Sequence, residues 1–148
     1  MAIWEWALDA YGQPGVPEAC LRLQDEHGQN VSYLLWAVWA EARDPALLAR
    51  AAETARVWET VALAPLRAAR RELKAPRPPV ADGARAALRE DVKAAELRAE
   101  RVLMETLAGL AGAASGGGHA FDALKAASLA WGKPAPDEAL AALAAALG

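Results

Sequence analysis

Apolar residues recur along this chain at helical spacing, and no alternating run is long enough to make a strand. The pattern predicts an all-α fold. Ile3 to Tyr11 reads as a first helix that stops at Gly12, with a turn at Gln13-Pro14-Gly15. A second helix opens near Pro17, with Glu18 beside its positive end, and stops at Gly28. Asn30 is a natural cap for a third, running to about Ala42. This helix is apolar on two faces: Val31, Leu34, Leu35 and Val38 on one, Tyr33, Trp36 and Trp39 on the other. It is therefore expected at the centre of the fold.

Asp44-Pro45 opens a fourth helix with the stripe Leu48, Ala51, Ala55, Trp58 and Ala62, and Pro65 is expected to break or kink it. A fifth helix follows to about Lys74, with Leu66, Ala69 and Leu73 inward, and then a stiff Ala75-to-Pro79 linker. The longest helix is expected from Asp82 to about Ala111. Its apolar stripe is Leu88, Val92, Ala95, Ala99, Val102, Thr106 and Leu110, with a weaker one at Leu97 and Met104. Gly112 to Gly118 reads as a flexible hinge. Two short helices follow, His119 to Trp131 and Asp137 onward. The expectation is a compact core of about six helices (1–111), a hinge (112–118) and a C-terminal hairpin (119–148). The hairpin is expected to dock on the core or on a second subunit.

Composition narrows the function classes. The 148 residues suit one domain. A net charge of −3 and a pI near 5.4 give no global basic footprint, so nucleic acid is not the expected partner. One cysteine excludes an intramolecular disulfide framework, and with two histidines it is a poor supply for zinc, so no metal or cofactor is expected. The longest apolar run, Tyr33 to Ala40, is far short of the ~20 residues of a bilayer span. Met1 to Glu5 has no basic leader, and the expected location is the cytoplasm.

Four of the six tryptophans lie in the first forty residues, within the pattern Trp4-x-Trp6-Ala7-Leu8, Pro14-Gly15-Val16, Ala19-Cys20-Leu21-x-Leu23-Gln24-Asp25 and Leu34-Leu35-x-x-x-Trp39. Together with Trp58, Pro65-Leu66-Arg67, Arg70-Arg71 and Leu73-Lys74, this resembles a proteobacterial family of small helical proteins of unknown function. The resemblance covers about two-thirds of the chain and stops near Gly112. It implies a helical fold and no activity attached to any residue.

Three groups are candidates for binding. Gln24, Asp25 and His27 sit at the joint of the second and third helices, where they also suit the satisfaction of helix ends. Cys20 and His27 are two turns apart, too far to share an ion. Trp4 and Trp6 point nearly opposite ways on one helix. One is expected in the core and the other near the surface, where tryptophan favours protein contacts. Arg67, Arg70, Arg71 and Lys74 share a face that suits solvent or an acidic protein partner. Phosphate-binding, nucleophile-elbow and zinc-protease motifs are missing, so no catalytic residue is assigned. The sequence points to a non-catalytic protein-binding adaptor or regulator. A homodimer through the long helix or the hairpin is a further expectation. The competing reading is a small-molecule binder or unrecognised enzyme with a pocket between the first three helices.

Overall fold

The computed structural model describes residues 1–111 and 119–148; the expected hinge lies outside the described residues. All regular structure among those residues is helical: α1 (Ile3–Tyr11), α2 (Val16–His27), α3 (Val31–Ala40), α4 (Pro45–Trp58), α5 (Ala64–Glu72), α6 (Asp82–Ala111), α7 (Ala120–Ala130) and α8 (Asp137–Leu147). A π-helical turn, Glu59–Leu63, joins α4 to α5, so the two run on as one rod.

Local chemistry sets the helix ends. Gly28 ends α2 with φ 61°, a left-handed conformation that costs glycine little. The Asn30 side chain accepts from the Tyr33 amide at 2.9 Å, and Asp44 accepts from the Leu47 amide at 3.0 Å. Each satisfies an amide that the first helical turn leaves without a partner. Pro65 does not break the chain's helical course; of the break or kink expected there, the structure has a local disturbance, the π turn just before it. The π turn carries one extra residue, which lets the rod pass a residue with no N–H and a ring that would crowd regular α geometry.

α3 is the axis of the fold. Nine of its ten residues are buried, which is what an all-round apolar helix demands. α6 and α7 flank it, and α1, α2 and α4 also pack on it. α4 contributes Leu48, Ala51, Ala52 and Ala55 to the core. α7 packs on α3 and α4, and α8 on α2, so both C-terminal helices lie against their own chain. Polar contacts fix this seating. The fully buried Tyr33 hydroxyl donates to the Ala127 carbonyl at 2.8 Å. Gln29 donates to the Lys133 carbonyl at 2.8 Å and accepts from the Ser128 hydroxyl at 3.0 Å; that hydroxyl accepts from the Ala135 amide at 2.8 Å. The Trp131 indole donates to the Gly28 carbonyl at 3.0 Å.

The inward face of α6 differs from the stripe expected from the sequence. Ala99, Leu103, Met104 and Leu107 are buried, whereas Leu88, Val102 and Leu110 are exposed at 51%, 41% and 37%. Three large side chains at 103, 104 and 107 gain more by packing on α3 than the smaller residues of the expected stripe would. That choice rotates the helix, and the stripe becomes its flank. The first half of α6 is held by polar contacts instead. Arg85 donates to the Leu73 carbonyl at 2.6 Å and Arg89 to the Arg70 carbonyl at 3.2 Å, serving carbonyls at the end of α5.

Candidate functional site

Two features of the surface stand apart. The first is a polar cleft where α1, α2, α5 and α6 meet. It has a volume of about 210 Å³ and is lined in part by Tyr11, Cys20, Gln24, Arg70, Glu96 and Glu100. Glu96 and Glu100 lie one turn apart, on the line of α6 that continues into Leu103 and Leu107. Arg70 meets Glu96 through two contacts, at 2.6 and 3.4 Å. Behind them, Arg67 holds Glu59 of the π turn at 2.9 Å and the Gln24 side-chain oxygen at 3.3 Å. Asn30 donates to the other oxygen of Glu59 at 3.3 Å.

This network brings together two groups that are some forty residues apart in the sequence. Gln24 and Asp25 of α2 meet Arg67 and Arg71 of α5, the latter pair at 3.0 Å. The basic residues therefore do not form one free patch: Arg67, Arg70 and Arg71 each engage a carboxylate of the same chain. Lys74 is exposed beyond the end of α5. Of the α2 group only Gln24 lines the cleft. Asp25 faces out toward Arg71, and His27 is half-buried, its Nε2 without a hydrogen-bond partner among the described residues.

The cleft's electrostatics disfavour nucleophilic chemistry. Burial, with the nearby Glu100, pushes the Cys20 thiol up to about 12, so it is no thiolate at neutral pH. Burial also pushes the Tyr11 phenol well above its usual range, helped by Glu100 and Cys20. Glu100 itself is pushed up to about 7, first by burial and then by Glu96; Arg67 and Arg70 pull it down, and Glu59 adds a smaller upward push. Among the described residues, no group of three or more histidine, cysteine or acidic side chains is placed to hold a metal ion.

Sequence reasoning missed Tyr11, Cys20, Glu59, Glu96 and Glu100 as site residues. A signal existed for the last two, since they continue the line of Leu103 and Leu107. An acidic pair entering an apolar face is unusual unless it is paired or functional.

The second feature is an apolar groove of about 600 Å³ between α4 and α6. Val57 and Trp58 form one wall, Val102, Thr106 and Leu110 the other, and Leu103 lies between. The Trp58 indole donates to the Ala99 carbonyl at 2.8 Å, which locks the ring in place. Val57 and Val61 stand 59% and 65% exposed on the α4 side. Arg50 and Glu53 mark one edge, and neither forms an ion pair among the described residues.

Both α1 tryptophans are half-buried, against the expectation of one in and one out. Ile3, Ala7 and Ala10 form the inward line of α1, and Trp4 and Trp6 lie roughly a quarter-turn to either side of it. Trp4 lines a separate hollow with Leu97 and Arg101, whose guanidinium lies 5.8 Å from the ring centre.

A family model described as "Protein of unknown function (DUF2390)" matches residues 2–107, well over half of the sequence. The chain belongs to the DUF2390 family. No curated protein and no solved structure matches it. The DUF2390 match takes in all of the polar cleft and all of the groove except Leu110. It stops before α7 and α8. Among the described residues, no helix is long and apolar enough to cross a membrane.

Proposed function

We propose that this DUF2390 protein is a non-catalytic binding module that seats an amphipathic helix of another protein in the α4–α6 groove. The observation that carries this reading is the flank of α6. Leu88, Val92, Ala95, Ala99, Val102 and Thr106 follow one another at alternating four- and three-residue steps, the spacing of a helix–helix seam. Only Ala99 of that seam is buried within the chain, while Val57 on α4 and Val61 on the π turn leave a second exposed ridge beside it. Two ridges at helical spacing with a trough between them are the form that a helix-in-groove partner fits.

Two further points favour a partner helix over a second copy of this chain. The exposed apolar area of the ridges is on the order of a few hundred Å², well below the ~800 Å² per partner of a standard stable interface. It suits a docked segment. The unpaired Arg50 and Glu53 at the rim also call for a ligand with its own complementary pair, an acid opposite Arg50 and a base opposite Glu53. Catalysis is disfavoured because Cys20 and Tyr11, the nearest nucleophile candidates in the polar cleft, stay protonated at neutral pH.

The test compares the wild type with Val57→Asp/Val102→Asp and with Leu129→Asp, a control on the outward face of α7. These side chains are solvent-facing, so each change should alter stability by about 0.5 kcal/mol or less. A partner recovered from cells should be lost with the groove variant and kept with the control. A synthetic peptide of the partner's helix should then bind purified protein with the same dependence. Binding that survives the groove substitutions, or a partner that proves to be a second copy, overturns the reading.

A further inference from the structure

We propose that the hollow between α1 and α6 that Trp4 lines is a second seat beside the groove, and that it takes an acidic stretch of the partner docked in the α4–α6 groove. The assignment rests on the groove reading for the partner, and on the residues of the hollow for its chemistry. The hollow measures about 650 Å³. Trp4 and Leu97 give it apolar surface, and Arg98, Arg101 and Glu105 follow one another along its α6 side.

The charges there are unequal. Glu105 is the one carboxylate among the described lining residues, and it accepts from the Arg101 Nε at 2.8 Å. That contact leaves both Nη groups of Arg101 without a partner among the described residues. The same guanidinium lies 5.8 Å from the centre of the Trp4 ring, so the ring and the ion pair together hold it in one place. Arg98, three residues earlier on α6, is exposed and forms no ion pair among the described residues. Trp39, Trp58 and Trp131 each donate an indole N–H within the chain; among the described residues Trp4 does not. Two guanidiniums against one carboxylate therefore leave a local positive surplus, on a chain whose net charge is −3.

A carboxylate answers this arrangement. It meets an oriented guanidinium through two parallel N–H donors, and Leu97, 48% exposed, offers contact to an apolar residue between the acids. Tryptophan and arginine are also the side chains that carry most of the binding energy at protein contacts. A nucleic acid needs a longer run of positive charge, which Glu105 interrupts here. Continuity joins the hollow to the groove, because Val102 lines both. The segment that flanks a helix seated in the groove has one side chain to cross before it reaches Arg101. The partner is then an amphipathic helix with aspartate or glutamate residues beside it.

The experiment titrates the full chain with the peptide acetyl-Leu-Glu-Glu-Leu-Glu-amide and follows the indole N–H signals by NMR. The expected result is a saturable shift of the Trp4 signal in the millimolar range, with the Trp36, Trp39 and Trp131 signals unmoved. Arg98→Gln/Arg101→Gln changes two exposed side chains and should weaken binding about tenfold, the worth of two exposed guanidinium–carboxylate contacts. Lys74→Gln/Lys133→Gln removes the same charge elsewhere and should change nothing. Val57→Asp spoils the groove but not the hollow, and should also leave this peptide's binding intact, so the two readings fail separately. The helix peptide of a partner captured at the groove should gain about tenfold in affinity when its acidic flank is added, and lose that gain in Arg98→Gln/Arg101→Gln. No saturable shift with the acidic peptide, undiminished binding to Arg98→Gln/Arg101→Gln, tighter binding of oligothymidylate, no gain from the flank, or a homodimer that Arg98→Gln/Arg101→Gln dissociates in sedimentation would each overturn the assignment.

Discussion

Replacing Glu100 by Gln removes a charge while keeping the size and shape of the side chain, and its effect on stability should depend on pH in a defined way. In the fold the Glu100 carboxyl ionises at about 7, against 4.5 for an exposed glutamate, because burial and then Glu96 disfavour its charge. Below pH 4.5 the carboxyl is neutral in folded and unfolded chains alike, and its contribution to stability is at its most favourable. Between pH 4.5 and 7 the unfolded chain has released the proton and the folded chain has not, so stability falls as pH rises. Above about pH 7.5 the loss is complete. At about 1.36 kcal/mol per pH unit the loss reaches roughly 3 kcal/mol, and the partial exposure of the cleft reduces it to roughly 2–3 kcal/mol. Glu100→Gln has no such loss. It should match the wild type at pH 4 and exceed it at pH 8 by roughly 2–3 kcal/mol, or roughly 6–12 °C in Tm for a chain of this size. Urea denaturation of both proteins from pH 4 to pH 8.5, plotted as a difference, isolates this group from every other titration. A difference that stays constant with pH, or a variant less stable than wild type at pH 8, would refute the placement of Glu100 in a partly dehydrated, uncompensated position.

Ser128→Ala should cost about 2–4 kcal/mol, because it strands the Gln29 side-chain oxygen and the buried Ala135 amide together. Hydrogen exchange should show α7 and α8 losing protection first, and a change under 0.5 kcal/mol would contradict the seating described. Tyr33→Phe should be milder, about 1 kcal/mol by thermal melt, since the Ala127 carbonyl keeps its bond from the Trp131 amide. Arg70→Glu/Arg71→Glu should destabilise by about 3–5 kcal/mol, because it leaves Glu96 unpaired and adds an acid beside it, whereas Lys74→Glu should stay within about 0.5 kcal/mol. Equal effects of the two in denaturant titration would show that the α5 arginines are free after all.

The helices and several of their ends were legible because their determinants are local. Asn30, Asp44 and Gly28 act on their own helix ends, and the all-round apolar character of α3 leaves it no position but the centre. The face of α6 was not legible. Its heptad-spaced stripe and its Leu103-Met104-Leu107 line are both plausible seams, and only the three-dimensional arrangement around α3 decides between them. Pro65 was read as a break or kink; that the disturbance takes the form of a π turn has no local motif to announce it. The candidate residues Gln24, Asp25, Arg67, Arg70 and Arg71 were singled out as two unrelated groups. Their meeting depends on how α5 folds back over α2, a long-range event with no local signature. Glu96 and Glu100 were not singled out because the sequence shows their charge but not their direction.

The groove claim is tested most directly by placing a photo-crosslinking amino acid at Val57, at Leu110 and, as a control, at Leu129, and irradiating living cells that express each protein. The expected result is one adduct common to positions 57 and 110, missing at 129. Its crosslinked peptide should map to an amphipathic helix of a different protein. No adduct at either groove position, an adduct with a second copy of this chain, or equal yield at Leu129 would contradict the proposal that the α4–α6 groove is where this protein meets its partner.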